Sequence, residues 1–579
     1  THRFAHRLAC WFASRTGRPA ALAATALACG LALLAAIGPG VAQAATTATT
    51  STATTASRQP AVDWLEPRSA EDFDRQVAQA RAQGRLQLLY WGATWCPPCR
   101  QLEVSLFHRA DFVALTRRLA ALHLDGDAPG AQKIGARHKV RGYPTMVLLG
   151  VDGRELTRLP GEAEPAQYLE ALRSALAQPA ASQAEGAAPP PATGQKPVGP
   201  QRSVAELLAQ ARAASSPAGG LTAAEWRRLA WYAWFTDESA LLPEAERSAV
   251  LQGLAGQAAA TAPAAASRMR LLAVVFSKAA GGPKTQDALS PADRQAALAD
   301  LQGLLSRPEA AREQADLLTE AVEDLAERLT AAGSPQRVEL VRRWQAAAVR
   351  LQQDTRLTRA TRLMALYARV QLTQLGQDPG APLPKALTAE VTRTVAQTEA
   401  RLASPSERQV LMPLAAELLS LAGAEADSQA LLKRQLDKSI APYYFMSMLA
   451  GQVAKSGDTP AALDWSRQAW ESARGSATRL QWGASHLARL IDLAPQDGAT
   501  IESVAAAILA EAAATPEVYH ERNARSLQRL ARRLNEWSQA QGETERLQRL
   551  ASQLAPVCAQ LPAGDSARSQ CDSLLAPGG

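Results

Sequence analysis

The stretch Arg85-Leu86-Gln87-Leu88-Leu89-Tyr90-Trp91, followed after three residues by Trp95-Cys96-Pro97-Pro98-Cys99-Arg100, decides the fold. The first run is short, rich in leucine and aromatics, and reads as a strand buried on both faces. The second opens a helix predicted over Cys96 to His108. Two cysteines three apart at a helix start can close a small disulfide ring. The first lies where exposed N–H groups and the helix dipole favour a thiolate. Cys96 is therefore the attacking sulfur and Cys99 the resolving one, with Arg100 adding positive charge beside them. Half of a zinc site is the competing reading, but it requires a second Cys or His pair at matching spacing, and none follows in this segment. His108 and His138 stand alone and read as ordinary helix or surface residues.

Working outward, helix and strand patterns alternate. Ser69 to Gln83 carries Ala70, Phe73, Val77 and Ala80 at helical spacing, with Ser69 and Asp72 placed as a capping box. Ala121 to Asp125 reads as a strand and Ala131 to Lys139 as a helix. Thr145 to Leu149 and Glu155 to Leu159 flank Asp152-Gly153 and form a hairpin. Pro165 to Ala177 closes the unit as a helix. This β-α-β then β-β-α order predicts a small mixed sheet with helices on both faces.

With those elements in place, the residues resemble the thioredoxin family over positions 61–178. The resemblance is carried by Trp-Cys-x-x-Cys, Arg141-Gly142-Tyr143-Pro144-Thr145, Val151-Asp152-Gly153 and Leu159-Pro160-Gly161. It implies an α/β thioredoxin fold and thiol:disulfide oxidoreductase activity with Cys96, Cys99 and Pro144 as the catalytic set. It further implies a cis proline at Pro144 facing the cysteine pair, with Trp95 and Tyr143 binding substrate and the Tyr143 backbone free to pair with an extended segment. One position departs: the family's buried aspartate six residues before the first cysteine is Tyr90 here, so the Cys99 proton must leave by another group or by water. The Pro-Pro dipeptide leaves the direction of electron flow open.

The flanks organise the rest of the 579 residues. Residues 1–44 hold Arg3, Arg7, Arg15 and Arg18, no acid, the apolar run Ala20 to Ile37, and small residues at Val41-Ala42-Gln43-Ala44. They read as a signal peptide cleaved after Ala44, with an uncleaved membrane anchor as the alternative. Four of the +7 net charges lie in this segment, so the remainder gives little reason to expect a nucleic-acid partner. Residues 45–60 are a Thr/Ala-rich linker and 179–202 a Pro/Ala-rich one. The predicted domains are then 61–178 and 203–579.

Residues 203–579 read as a large all-α, solenoid-like domain of helical hairpins. Ser290-Pro291, Ser334-Pro335, Ser404-Pro405 and Thr459-Pro460 each place a capping hydroxyl before a proline at the first helical position. Leu449, Ala450, Val453, Gly457, Ala462 and Ala469 resemble one degenerate tetratricopeptide unit, although the helix starts keep no fixed period. Trp226, Leu229, Ala230, Ala233 and Trp234, and likewise Tyr443-Tyr444-Phe445-Met446, read as core rather than ligand site. Six cysteines are present: Cys10 and Cys29 would leave with the signal, and Cys558 and Cys571 remain near the C-terminus. Twelve residues separate that last pair, which suits a structural disulfide closing a terminal helix pair; an auxiliary redox pair is the other reading.

The expected function is an exported, periplasmic thiol:disulfide oxidoreductase acting on protein thiols and disulfides. It needs no cofactor or metal, since two sulfurs carry the chemistry. A membrane or soluble electron-donor protein would supply it, and the helical domain would recruit partners. A non-catalytic interaction scaffold and a dedicated reductant for cytochrome or metal-centre assembly are the alternatives.

Overall fold

The computed structural model describes residues 61–161, 163–176, 202–213, 220–237, 241–277, 289–378, 381–402 and 404–575. The expected signal peptide and almost all of the two linkers lie outside these residues.

The N-terminal unit runs α1 (Ala70–Ala82), β1 (Gln87–Gly92), α2 (Pro97–Leu102), α3 (Ala110–Thr116), β2 (Ala120–Asp125), α4 (Ala131–Arg137), β3 (Thr145–Leu149), β4 (Glu155–Leu159) and α5 (Pro165–Leu176). The sheet order is β2-β1-β3-β4. β1 pairs parallel with β2 and antiparallel with β3, and β3 pairs antiparallel with β4. β1 is central, which explains its apolar run: every residue is buried. Leu88 and Tyr90 face one core cluster with Phe107 and Leu172, while Leu89 and Trp91 face the other with Phe73 and Ile134. The strand alternates as a pleat must, but both faces are covered.

Several boundaries differ from the sequence reading for local reasons. The Ser69 hydroxyl accepts from the Asp72 N–H at 3.2 Å, but the Asp72 carboxylate takes the Arg68 N–H at 3.0 Å, so the predicted capping box is only half built. The helix expected over Cys96 to His108 is α up to Leu102 and then a π turn over Glu103–Phe107. The chain turns again at Arg109 into α3, which hydrophobic spacing did not reveal because it is barely two turns long.

Beyond residue 202 the described chain is helical. Hairpins such as Glu244–Ala258 with Pro263–Phe276, Pro335–Gln353 with Arg359–Gln374, and Pro442–Lys455 with Thr459–Ser472 follow one another along the chain. Three apolar clusters run through them in chain order. Ser290, Ser334 and Ser404 cap their helices through side-chain oxygens, each with proline at the next position. At Thr459 the cap is instead Asp458, one residue earlier, which accepts from the Ala461 N–H at 3.1 Å. Trp226, Leu229 and Ala230 are buried core as read. The helix stops at Ala230, however, so Ala233 and Trp234 sit in the turn after it; they are buried too, and Trp234 Nε1 donates to the Leu229 carbonyl at 2.7 Å. No helix among the described residues is long and apolar enough to cross a membrane.

Cys558 and Cys571 form a disulfide with Cα atoms 5.4 Å apart, joining the helices Thr544–Ala559 and Ser566–Ser573 in a buried setting. Closing a loop of this size restricts the unfolded chain by about 3 kcal/mol on the entropy model. Replacing both cysteines with alanine is therefore expected to bring unfolding of the last helices to lower denaturant. Amide exchange of residues 544–575 in both proteins would check this; unchanged protection would count against a stabilising role.

The helical region is not held only by chain connection. Glu164, at the start of α5, accepts from Thr358 N at 3.1 Å and Thr358 Oγ1 at 2.9 Å, and from the Thr361 hydroxyl. The outer edge of β4 is closed in the same way. Ala233 N donates to the Arg158 carbonyl at 3.2 Å and Arg228 donates to the Leu156 carbonyl at 3.2 Å. An open sheet edge with unpaired N–H and C=O groups is thereby capped by polar groups of the helical region.

Candidate redox site

β1 ends at Gly92, and Ala93-Thr94-Trp95 delivers the chain to the tip of the sheet, where α2 begins. Pro97 occupies the first helical position, which suits a ring with fixed φ and no N–H to lose. Cys96 is the N-cap, and its sulfur accepts from the Cys99 N–H at 3.2 Å. Cys96 and Cys99 are joined as a disulfide, with Cα atoms 5.2 Å apart. Pro97 and Pro98 carry no N–H, so the Cys99 N–H and the helix dipole are what meet the sulfur that would carry negative charge after reduction.

The loop before β3 faces this helix start. Tyr143–Pro144 is a cis peptide bond, and Tyr143 packs into the same apolar cluster as Trp95, Cys96 and Cys99. The Tyr143 hydroxyl accepts from Gln132 Nε2 at 2.9 Å. Gly126 makes room for it, because a Cβ there would stand 2.3 Å from that hydroxyl oxygen. Tyr90 lies in the core, its ring stacked on His123 at 5.1 Å and edge-on to Phe107 at 5.0 Å. Burial raises the Tyr90 phenol far above its ordinary range, so it stays protonated and cannot serve as a base for Cys99. His108 is exposed, and His138 is partly buried beside Arg137 and Arg158, with its imidazole pushed down to about 4 chiefly by burial.

One expectation about the surroundings changes. Arg100 is not a free cation beside the sulfurs: it donates to the Thr94 carbonyl at 3.0 Å and pairs with Glu103. The redox pair is also enclosed rather than presented to solvent, with Cys96 2% and Cys99 3% exposed. The cover comes from the helical region: Ala441, Tyr443, Ala469, Ala473 and Trp482 pack in one buried cluster with Ala93, Trp95 and both cysteines. Tyr443, Tyr444 and Met446, which read in sequence as ordinary core, are therefore part of the redox site's lining.

Trp95 is the centre of that contact. Its indole N–H donates to Thr478 Oγ1 at 2.9 Å, and its carbonyl accepts from Gln409 Nε2 at 2.8 Å. The Trp482 ring meets it edge-on at 4.9 Å. The Arg522 guanidinium lies 5.0 Å from the Trp95 ring centre and 4.7 Å from that of Tyr143. A cation over two aromatic faces is attracted by both quadrupoles. Thr478 is itself tied to the thioredoxin side: Asp127 accepts from the Thr478 N–H at 2.8 Å and from its hydroxyl at 2.6 Å. Gln409, Thr478, Trp482 and Arg522 carried no sequence signal, since each occupies an unremarkable position of a helix far along the chain.

A four-stranded mixed sheet, a Cys-Pro-Pro-Cys at the start of the helix after its central strand, and a cis Tyr143–Pro144 bond just before β3 define a thioredoxin-like disulfide-exchange site. Residues 73–176 match the family model described as a thioredoxin-like domain. Among curated proteins, the segment is similar to the thiol:disulfide interchange protein DsbD 2 of Pseudomonas aeruginosa, at 33% identity over 102 residues, 17% of each chain. It is also similar to the thiol:disulfide interchange protein DsbD of Vibrio vulnificus, at 27% over 116 residues, 19% of this chain and 20% of that one. Among solved structures, a thioredoxin from Thermus thermophilus matches at 26% identity with a TM-score of 0.18, covering 20% of this chain and 85% of that one. A DsbH oxidoreductase matches at 19% with a TM-score of 0.17, covering 22% and 93%. The chain thus spans about 17% of the length of the first of the curated relatives it matches.

Proposed function

We propose that this chain is an exported thiol:disulfide oxidoreductase that exchanges disulfides with protein partners through Cys96 and Cys99. The observation that carries the reading is the Cys96–Cys99 disulfide at a helix N-terminus, with Tyr143 of the cis Tyr143–Pro144 bond packed in the same cluster. In the reducing half-reaction a partner thiolate attacks Cys96 Sγ, the Cys96–Cys99 bond breaks, and Cys99 leaves as a thiolate that takes up a proton. A second thiol of the partner then attacks the mixed disulfide. The partner leaves oxidised, the pair holds two thiols, and two electrons and two protons have moved. The reverse sequence reduces a partner disulfide, and relative dithiol stability sets the direction.

Export is supported by the apolar, arginine-led first 44 residues and by an even cysteine count that suits an oxidising compartment. The names of the similar DsbD proteins, thiol:disulfide interchange proteins, agree with this chemistry. The stacked helix pairs support a partner-selecting role for residues 203–579, in the manner of a tetratricopeptide-like array. A membrane or soluble electron donor would then keep the pair cycling. The scaffold alternative is disfavoured by the retention of Cys96, Cys99 and Pro144 together.

The test is a trap. Full-length chain carrying Cys99→Ser, produced in a cell envelope, is expected to fractionate with the periplasm and to accumulate mixed disulfides at Cys96 with exported cysteine-containing proteins. A chain that remains cytoplasmic, or that traps nothing while Cys96 is still alkylatable, overturns the reading.

A further inference from the structure

The same contacts that bury the redox pair have a consequence for which partners can reach it. Exchange requires an incoming sulfur to reach Cys96 along the S–S axis, and Cys96 is 2% exposed, packed in one buried cluster with Tyr443, Ala469, Ala473 and Trp482. This cover is fastened by specific bonds rather than by apolar packing alone. Thr478 binds the Trp95 indole N–H and Asp127 together, and Gln409, itself wholly buried, binds the Trp95 carbonyl. Arg522 spans Trp95 and Tyr143. The backbone is shaped to the same end. Gly475 has φ +87°, and a Cβ there would stand 2.2 Å from Asp127 Cγ, so only glycine lets the helix beginning at Ser476 approach Asp127. Three side chains from three different helices therefore converge on the residue next to the attacking cysteine.

We propose that Gln409, Thr478 and Arg522 are specificity-determining residues of the exchange reaction, latching the helical region over Trp95 so that a partner thiol reaches Cys96 only by displacing that cover. The proposal rests on the oxidoreductase reading above. A small dithiol needs only a brief, partial opening, whereas a folded protein needs the whole cover moved. The latched chain therefore discriminates against generic protein dithiols. A partner that brings an extended, partly apolar segment able to replace the Tyr443 and Trp482 contacts is admitted.

The experiment uses the oxidised full mature chain and follows reduction of Cys96–Cys99 by alkylation and mass spectrometry. Two probes are compared: dithiothreitol, and a reduced thioredoxin as a generic protein dithiol. Thr478→Val removes the hydroxyl that joins Trp95 to Asp127 and keeps the side-chain shape. Losing that buried bond shifts the closed–open balance by roughly tenfold. The expected result is a rise of about that size in the thioredoxin rate, a smaller rise with dithiothreitol, and recovery of the parental ratio in Thr478→Ser, which restores the hydroxyl. Gly475→Ala pushes on Asp127 from the other side and carries the same expectation if Thr478→Val does not fold.

A folded Thr478→Val or Gly475→Ala chain with the parental ratio of the two rates overturns the latch while leaving the chemistry intact, provided Cys96→Ser is inactive. A parent chain that thioredoxin reduces as fast as dithiothreitol does, at equal thiol concentration, also overturns it. If neither the parent nor the opened variants exchange with any thiol, the oxidoreductase reading itself fails and the latch with it.

Discussion

Cys96→Ser is expected to lower disulfide exchange to the uncatalysed background, whereas Cys99→Ser stops the reaction after one turnover with a partner bound to Cys96. The asymmetry comes from position along one short helix. Cys96 is the N-cap, its sulfur already accepting the Cys99 N–H, so charge on that atom is met by helix-start dipoles. Cys99 lies one turn inside the helix and is as buried as Cys96, so the asymmetry rests on the cap position, and Cys99 acts on the mixed disulfide formed at Cys96. A serine at position 96 presents a hydroxyl whose anion is far out of reach at neutral pH. A serine at position 99 leaves the nucleophile in place but removes the group that resolves it. Single-turnover kinetics with a chromogenic disulfide would separate the two cases. A Cys96→Ser protein with more than background turnover sinks the assignment of the attacking sulfur, and so does a Cys99→Ser protein that releases its partner.

A second large effect is expected far from the sulfurs, at Asp316. Arg268 is 3% exposed and donates two bonds to that carboxylate, at 2.6 and 3.1 Å, one to Gln314 at 2.8 Å and one to the Ala230 carbonyl at 3.1 Å. Its guanidinium also lies 5.0 Å from the Trp231 ring centre. This network holds the turn that places Ala233 against the edge of β4. Asp316→Ala strands a buried guanidinium and is expected to cost about 3 kcal/mol, since the desolvation of the arginine is then no longer offset. Replacing both members, as Arg268→Met with Asp316→Leu, is expected to recover part of that loss, because the unpaired charge is gone while Gln314 and the Ala230 carbonyl lose their donor. Urea unfolding of the three proteins would measure it. A double variant as unstable as the single one would show that the network holds the turn by more than charge pairing.

The thioredoxin-like unit was largely legible because its elements are set by local rules. The hairpin Thr145–Leu149 and Glu155–Leu159 falls where Asp152-Gly153 and strand alternation place it, and Gly153 has φ +81°. The helix starts at Ser290, Ser334 and Ser404 follow from a hydroxyl before proline. Misreadings arose where two local signals competed. At residues 103–107 the apolar spacing continues the helix, but the chain widens into a π turn before α3. At Thr459 both Asp458 and Thr459 can cap, and the carboxylate one residue earlier does so.

The surroundings of the site belong to another category. From the sequence alone came the Cys96–Cys99 pair, the thioredoxin-like fold that presents it and the helical character of the remainder. Each of these depends on residues a few positions apart, or on a motif whose spacing carries its chemistry. Only the tertiary structure decided that Arg100 pairs with Glu103, that Arg522 lies over Trp95 and Tyr143, and that the pair is closed in. Trp95 meets Thr478 across 383 residues and Gln409 across 314. A threonine at a helix start, a glutamine on a helix face and an arginine in a polar stretch look in sequence like any solvated residue. Their roles exist only where the backbone brings them to one point, because hydrogen bonds and cation–aromatic contacts act over a few ångströms and leave no mark on the local pattern.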